Sequence, residues 1–66
     1  MTVVVNGEPR ELETGMTIDD VVRSLTDEER GVAVALDGEV VPRGAWTTTT
    51  LTGGEHVEVL RAVQGG

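Results

Sequence analysis

After Met1 and Thr2 the chain runs through three successive valines, Val3 to Val5, breaks at Asn6-Gly7 and resumes as "EPREL". Asn-Gly is the preferred pair for a two-residue type I′ turn, whose central positions both need positive φ, and strand-forming residues flank it here. The pattern predicts a hairpin in which Val5 faces Glu8 and Val4 faces Pro9. A proline has no N–H to give a ladder, so the second strand belongs at an edge of the sheet. After Gly15 the period changes. Ile18, Val21, Val22 and Leu25 recur at i, i+3, i+4 and i+7, the spacing of one helical face. Thr17 stands where an N-cap is needed, and Asp20 three residues on completes a variant of the capping box. Asp19 and Asp20 place negative charge at the positive end of the helix dipole. "TDEER" then reads as a charged, solvated connector.

Alternation returns with Val32, Val34 and Leu36, separated by the small Ala33 and Ala35. Asp37-Gly38 predicts a second tight turn, Glu39 to Val41 the returning strand, and Pro42 its stop. "GAWTTTTLTGGEH" reads as a connection with turn residues at Gly53-Gly54 and one bulky side chain, Trp46, expected to fill the core. In "HVEVLRAV" Val57 and Val59 alternate with His56, Glu58 and Leu60, which makes a last strand running straight towards the C-terminus.

The order of elements is strand, strand, helix, strand, strand, strand, with the helix where a right-handed crossover is needed. The last strand is therefore expected to pair parallel to the first in the middle of the sheet, and one helix to cover one face. This is an α+β fold of the ubiquitin-like β-grasp type, a mixed sheet of about five strands in the order 2-1-5-3-4. Val57 and Val59 are expected to face Val21, Val22 and Leu25. Residues 1–62 are expected to make one domain and 63–66 a flexible C-terminal tail.

Composition narrows the function. Sixty-six residues form a domain near the lower size limit, where only about 60% of the unfolded surface can be buried, so an enclosed catalytic pocket is not expected. Twelve valines and a single aromatic call for a β-branched core. Without cysteine there is no disulfide, thiolate metal site or internal thiol nucleophile. A net charge of −7, with five arginines and no lysine, excludes a phosphate-backbone surface, and therefore nucleic acid as a partner. It suits solubility as well as a steered encounter with a basic partner groove. No basic and apolar leader precedes the domain, and "VAVAL" is far too short to span a bilayer, so the expected location is cytoplasmic with no membrane partner.

The side chains offer little chemistry. His56 has no second His or Cys with which to build a metal site, and Ser24 has no His-carboxylate pair beside it. A phosphate loop at Gly53-Gly54 lacks its lysine. What remains is the α-carboxylate of Gly66, ionised at neutral pH and able to attack the α-phosphorus of ATP when a partner enzyme activates it. Glycine at positions 65 and 66 passes a narrow channel and lets donors approach the carbonyl. Val63 to Gly66 reach about 13–14 Å when extended, which carries the carboxylate deep into another protein. Leu60 and Ala62 on the last strand, beside Ala33 and Ala35, are candidates for the docking face, with Val63 and Gln64 next to the reactive end.

"VNGEP" in the first turn, "VPRGAW" after the second hairpin and the closing Gly-Gly together resemble the bacterial thiazole-pathway sulfur carriers, the ThiS family, over essentially the whole chain. The one departure is "GGEH", where the family has Gly-Asp before the last strand. The resemblance implies a protein co-substrate and not an enzyme. An E1-like adenylyltransferase would adenylate Gly66, with Gly65 its required neighbour. A sulfur donor such as a cysteine desulfurase would supply the sulfur of a thiocarboxylate, and thiazole synthase would accept it. ATP and Mg would be bound by the activating enzyme, leaving the carrier itself without cofactor or metal and monomeric when alone. Related carriers feeding molybdopterin, cysteine or tRNA thiolation, and ubiquitin-like protein modifiers, stay open on these residues.

Overall fold

The computed structural model describes residues 1–28 and 30–61. Two antiparallel hairpins flank a central strand, and one helix covers a single face of the sheet they form. Strands β1 (Thr2–Val5) and β2 (Glu8–Glu11) make the first hairpin, helix α1 spans Ile18–Leu25, and β3 (Val32–Leu36) and β4 (Glu39–Val40) make the second. A 3-10 turn at Arg43–Ala45 precedes β5 (His56–Arg61). The sheet order is β2-β1-β5-β3-β4, with β5 parallel to β1 and antiparallel to β3. The α+β β-grasp arrangement expected from the order of elements is the one found.

Local chemistry sets each element. Asn6 and Gly7 have φ of 51° and 82°, as a type I′ turn requires, and the register places Val5 opposite Glu8 and Val4 opposite Pro9. Asp37 and Gly38 repeat the device at 49° and 88°. Thr17 caps the helix: its hydroxyl accepts from Asp20 N–H at 3.2 Å, while the Asp20 carboxylate accepts from Thr17 N–H at 2.9 Å.

The core lies between helix and sheet. Val3, Val5, Val34, Val57 and Val59 point inward from the strands onto Ile18, Val21 and Val22, with Trp46 among them as expected. Leu25, expected in the same row, is only half-buried against the margin of the core, because it ends the last turn of an eight-residue helix. The returning strand stops at Val40, although Val41 still donates to Val34 C=O at 2.8 Å.

The connection from β4 to β5 is more than a linker. Leu51 within it is 2% exposed and joins the core. Trp46 C=O and Thr49 C=O accept from Asp19 N–H and Ile18 N–H at 3.1 and 3.0 Å. With the Thr17 hydroxyl, they satisfy the N–H groups that the first turn of any helix leaves without intrahelical partners. Trp46 itself donates from Nε1 to Val41 C=O at 3.0 Å, so the one large aromatic is buried with its polar atom paired.

Candidate functional site

The predicted reactive end, Gly65 and Gly66, and the adjoining Ala62, Val63 and Gln64 lie outside the described residues. The structure bears on them through the strand that leads to them. β5 is the central strand, paired with β1 at His56 and Val57 and with β3 from Val57 to Arg61. Its alternation sends Val57 and Val59 into the core and His56, Glu58 and Leu60 to the face of the sheet that the helix leaves open.

On that open face Leu60 is 66% exposed and stands opposite Ala33, while Ala35 stands between Glu58 and Val40. Val40 is 77% exposed. Leu60 and Val40 are the large apolar side chains most exposed among the described residues, and they share one face across three adjacent strands. Gly31, Val32, Ala33, Leu60 and Arg61 line a shallow concavity of about 420 Å³ at the end of β5 from which the chain continues. The sequence identified Leu60, Ala33 and Ala35. It passed over Val40, whose placement follows from the two-residue turn at Asp37-Gly38: that turn pairs Leu36 with Glu39 and so fixes Val40 opposite Ala35.

Of the other chemistry-bearing side chains, Ser24 and Asp19 are engaged in structure. Ser24 Oγ donates to Val21 C=O at 2.6 Å, and Asp19 faces Arg23 at 3.7 Å along the helix. His56 is exposed, and among the described residues no group of His, Cys, Asp and Glu is placed to hold a metal ion. Arg43 lies over Trp46, 5.2 Å from its ring centroid, so two residues of "VPRGAW" contact each other within the segment.

Two carboxylates are tuned. Hydrogen bonding from the N-terminal ammonium, then from the Thr2 hydroxyl, holds Glu11 below the usual carboxylate value. Burial pushes Glu55 up, yet hydrogen bonds from Thr52 N–H, Gly53 N–H and the Thr52 hydroxyl together outweigh it and leave Glu55 lowered. This explains the departure at "GGEH". Gly53 and Gly54 take φ of 109° and 82°, and the longer Glu55 side chain reaches back to close the turn before β5. Both carboxylates are engaged in hydrogen bonds within the fold and neither lies beside the exposed patch.

Against known proteins, the profile described as "ThiS family" matches residues 3–66. The sulfur carrier protein ThiS of Thermus thermophilus is similar to the chain at 41% identity over 64 residues, covering 97% of this chain and 98% of its own. A thiazole synthase of Paramagnetospirillum magneticum is 30% identical over all 66 residues, but the chain spans only 20% of that protein's length. Among solved structures, the crystal structure of thiamine biosynthesis protein ThiS from Geobacter metallireducens matches with a TM-score of 0.82 at 32% identity, each chain covered completely.

Proposed function

The chain belongs to the ThiS family of sulfur carriers, and from that premise we propose that it carries sulfur for thiazole formation on the α-carboxylate of Gly66. The carboxylate oxygen attacks the α-phosphorus of ATP, pyrophosphate leaves, and the acyl-adenylate so formed is the electrophile that a free carboxylate is not. The terminal sulfur of a donor persulfide, such as a cysteine desulfurase carries, then displaces AMP to give an acyl disulfide, and a second thiol cleaves its S–S bond, which leaves the thiocarboxylate and a new disulfide. An E1-like adenylyltransferase binds the ATP and Mg for the first step, in the cytoplasm. Thiazole synthase takes the sulfur in the last, a role supported by the likeness of this whole chain to one fifth of a thiazole synthase.

The observation that carries the reading is the position of β5, the central strand, which leads from a fixed core to Gly65-Gly66 past an exposed apolar patch. Leu60, Ala33, Ala35 and Val40 dock the activating enzyme, and Ala62, Val63 and Gln64 continue the contact towards its active site. The absence of cysteine suits the role, because no internal thiol competes for the sulfur.

Intact mass after incubation with an activating enzyme, Mg-ATP and a sulfur source tests it. The expected result is replacement of one oxygen by sulfur at Gly66. Deleting Gly66 should leave the melting temperature unchanged and abolish the product. Gly65→Val should act similarly, since a β-branched side chain restricts the backbone and obstructs a narrow channel. A chain that gains neither adenylate nor sulfur would sink the reading.

A further inference from the structure

The first residues of the two hairpin turns do more than turn the chain. Both Asn6 and Asp37 take the left-handed conformation, and each sends its side chain to the backbone of β5. Asp37 Oδ1 accepts from His56 N–H at 2.9 Å, while Asp37 N–H donates to His56 C=O at 2.8 Å. Asn6 does more. Its Oδ1 accepts from Val59 N–H at 2.8 Å and its Nδ2 donates to Val59 C=O at 3.3 Å.

The parity of β5 explains what the Asn6 amide replaces. The C=O groups of Glu55, just before β5, and of Val57 accept from Val4 N–H and Asn6 N–H at 2.9 Å, so the odd-numbered positions here turn their polar groups towards β1. Val59 is next in that series, but the chain of β1 has already turned away at Asn6-Gly7. A planar amide carries one donor face and one acceptor, the same pair a further strand residue would present. Asn is also the non-glycine residue best suited to positive φ, so turn and ladder ask for one residue type. Beyond Val59, Leu60 and Arg61 pair, among the described residues, with Ala33 and Val32 of β3 alone.

We propose that Asn6 is a positioning residue for the carrier reaction: its side-chain amide extends β1 by one step and fixes the direction in which β5 leads to the reactive tail. The proposal rests on the carrier reading above. A tail that starts from a fixed strand costs the activating enzyme less ordering on binding than one that starts from a loosened strand. Asn6 should therefore act on recognition and not on the chemical step.

The test compares Asn6→Gly with Asp37→Gly. Glycine accepts the positive φ at both turns, so each variant keeps its hairpin and loses only the side-chain bonds to β5. Hydrogen exchange followed by NMR should show protection of the Val59 amide falling about tenfold in Asn6→Gly, a loss in keeping with one hydrogen bond, with Val34 and Val57 unchanged. With an activating enzyme that adenylates the wild-type chain, KM for Asn6→Gly should rise roughly 5- to 10-fold with kcat retained. Asp37→Gly, which releases β5 at the end away from the tail, should keep the wild-type KM. Equal increases in both variants would mean general loosening and overturn the proposal, as would an unchanged KM or a Val59 amide still protected in Asn6→Gly. Failure of the wild-type chain itself to be adenylated is the separate result that removes the carrier reading and this proposal with it.

Discussion

Val59 and Leu60 are neighbours in the chain, yet Val59 is 8% exposed and Leu60 66%. The same contrast runs across the whole sheet. Its inner face presents Val3, Val5, Val34, Val57 and Val59 to the helix, whereas its outer face presents Leu60, Ala33, Val40, His56 and Glu58 to solvent. A period of two separates residues that hold the fold from residues free to meet a partner, and no distance along the sequence is needed to do it. On the docking face proposed above, substitutions should change recognition without changing stability, one position away from substitutions that do the reverse.

The largest loss of stability should follow from substitution on the inner face. Ile18 is fully buried, and Ile18→Ala should cost about 2–5 kcal/mol, a large part of what a domain of this size has. Its melting temperature should fall by roughly 10 °C or more. A melting curve like that of the wild type would show that burial against the sheet does not carry the stability. Leu25→Ala, at the half-buried margin, should lower it by clearly less than Ile18→Ala.

On the outer face the effect should reverse in kind. Leu60→Glu should weaken binding of the activating enzyme by about tenfold or more, through lost apolar contact and an added charge, while stability stays within about 0.5 kcal/mol. Calorimetric titration and thermal melting of the same sample separate the two quantities. Unaltered affinity would remove Leu60 from the docking face. Val40→Glu tests in the same way whether the patch extends across β3 to β4.

The smallest expected effect comes from the tuned carboxylates on the rim. Glu11 and Glu55 are both lowered in the folded state. The fold therefore favours their charged forms, and the stability this contributes is present above the unfolded value of about 4.3. It is lost as pH falls through the lower folded values. Urea midpoints measured from pH 6 down to about pH 3 should decline, and less steeply in a Glu11→Gln/Glu55→Gln chain, with solvent screening keeping the difference small. Identical slopes would mean that the rim contributes nothing and would sharpen the contrast between core and surface.

Much of this architecture was legible because its causes are local. Asn6-Gly7 and Asp37-Gly38 encode positive φ in two residues, Thr17 and Asp20 encode a helix start in four, and the alternation of Val57 and Val59 with Leu60 encodes both faces of β5. The outward Leu60 of the candidate site was visible for the same reason. Val40 was not, since a valine in a short returning strand reads as core until the pairing with Ala35 turns it outward.

Tertiary structure alone decided the rest. Leu51 becomes core, and Trp46 and Thr49 carbonyls complete the helix start, only because the β4–β5 connection folds back over α1. The Asn6 amide meets Val59 across 53 residues of sequence, a contact that no local pattern contains. Turns, caps and periodicity are fixed by the steric and hydrogen-bonding preferences of a few adjacent residues, so the sequence by itself determined them. Which backbone group a polar side chain satisfies, and which apolar residue a loop can bury, depends on what closure of the sheet brings within reach of it.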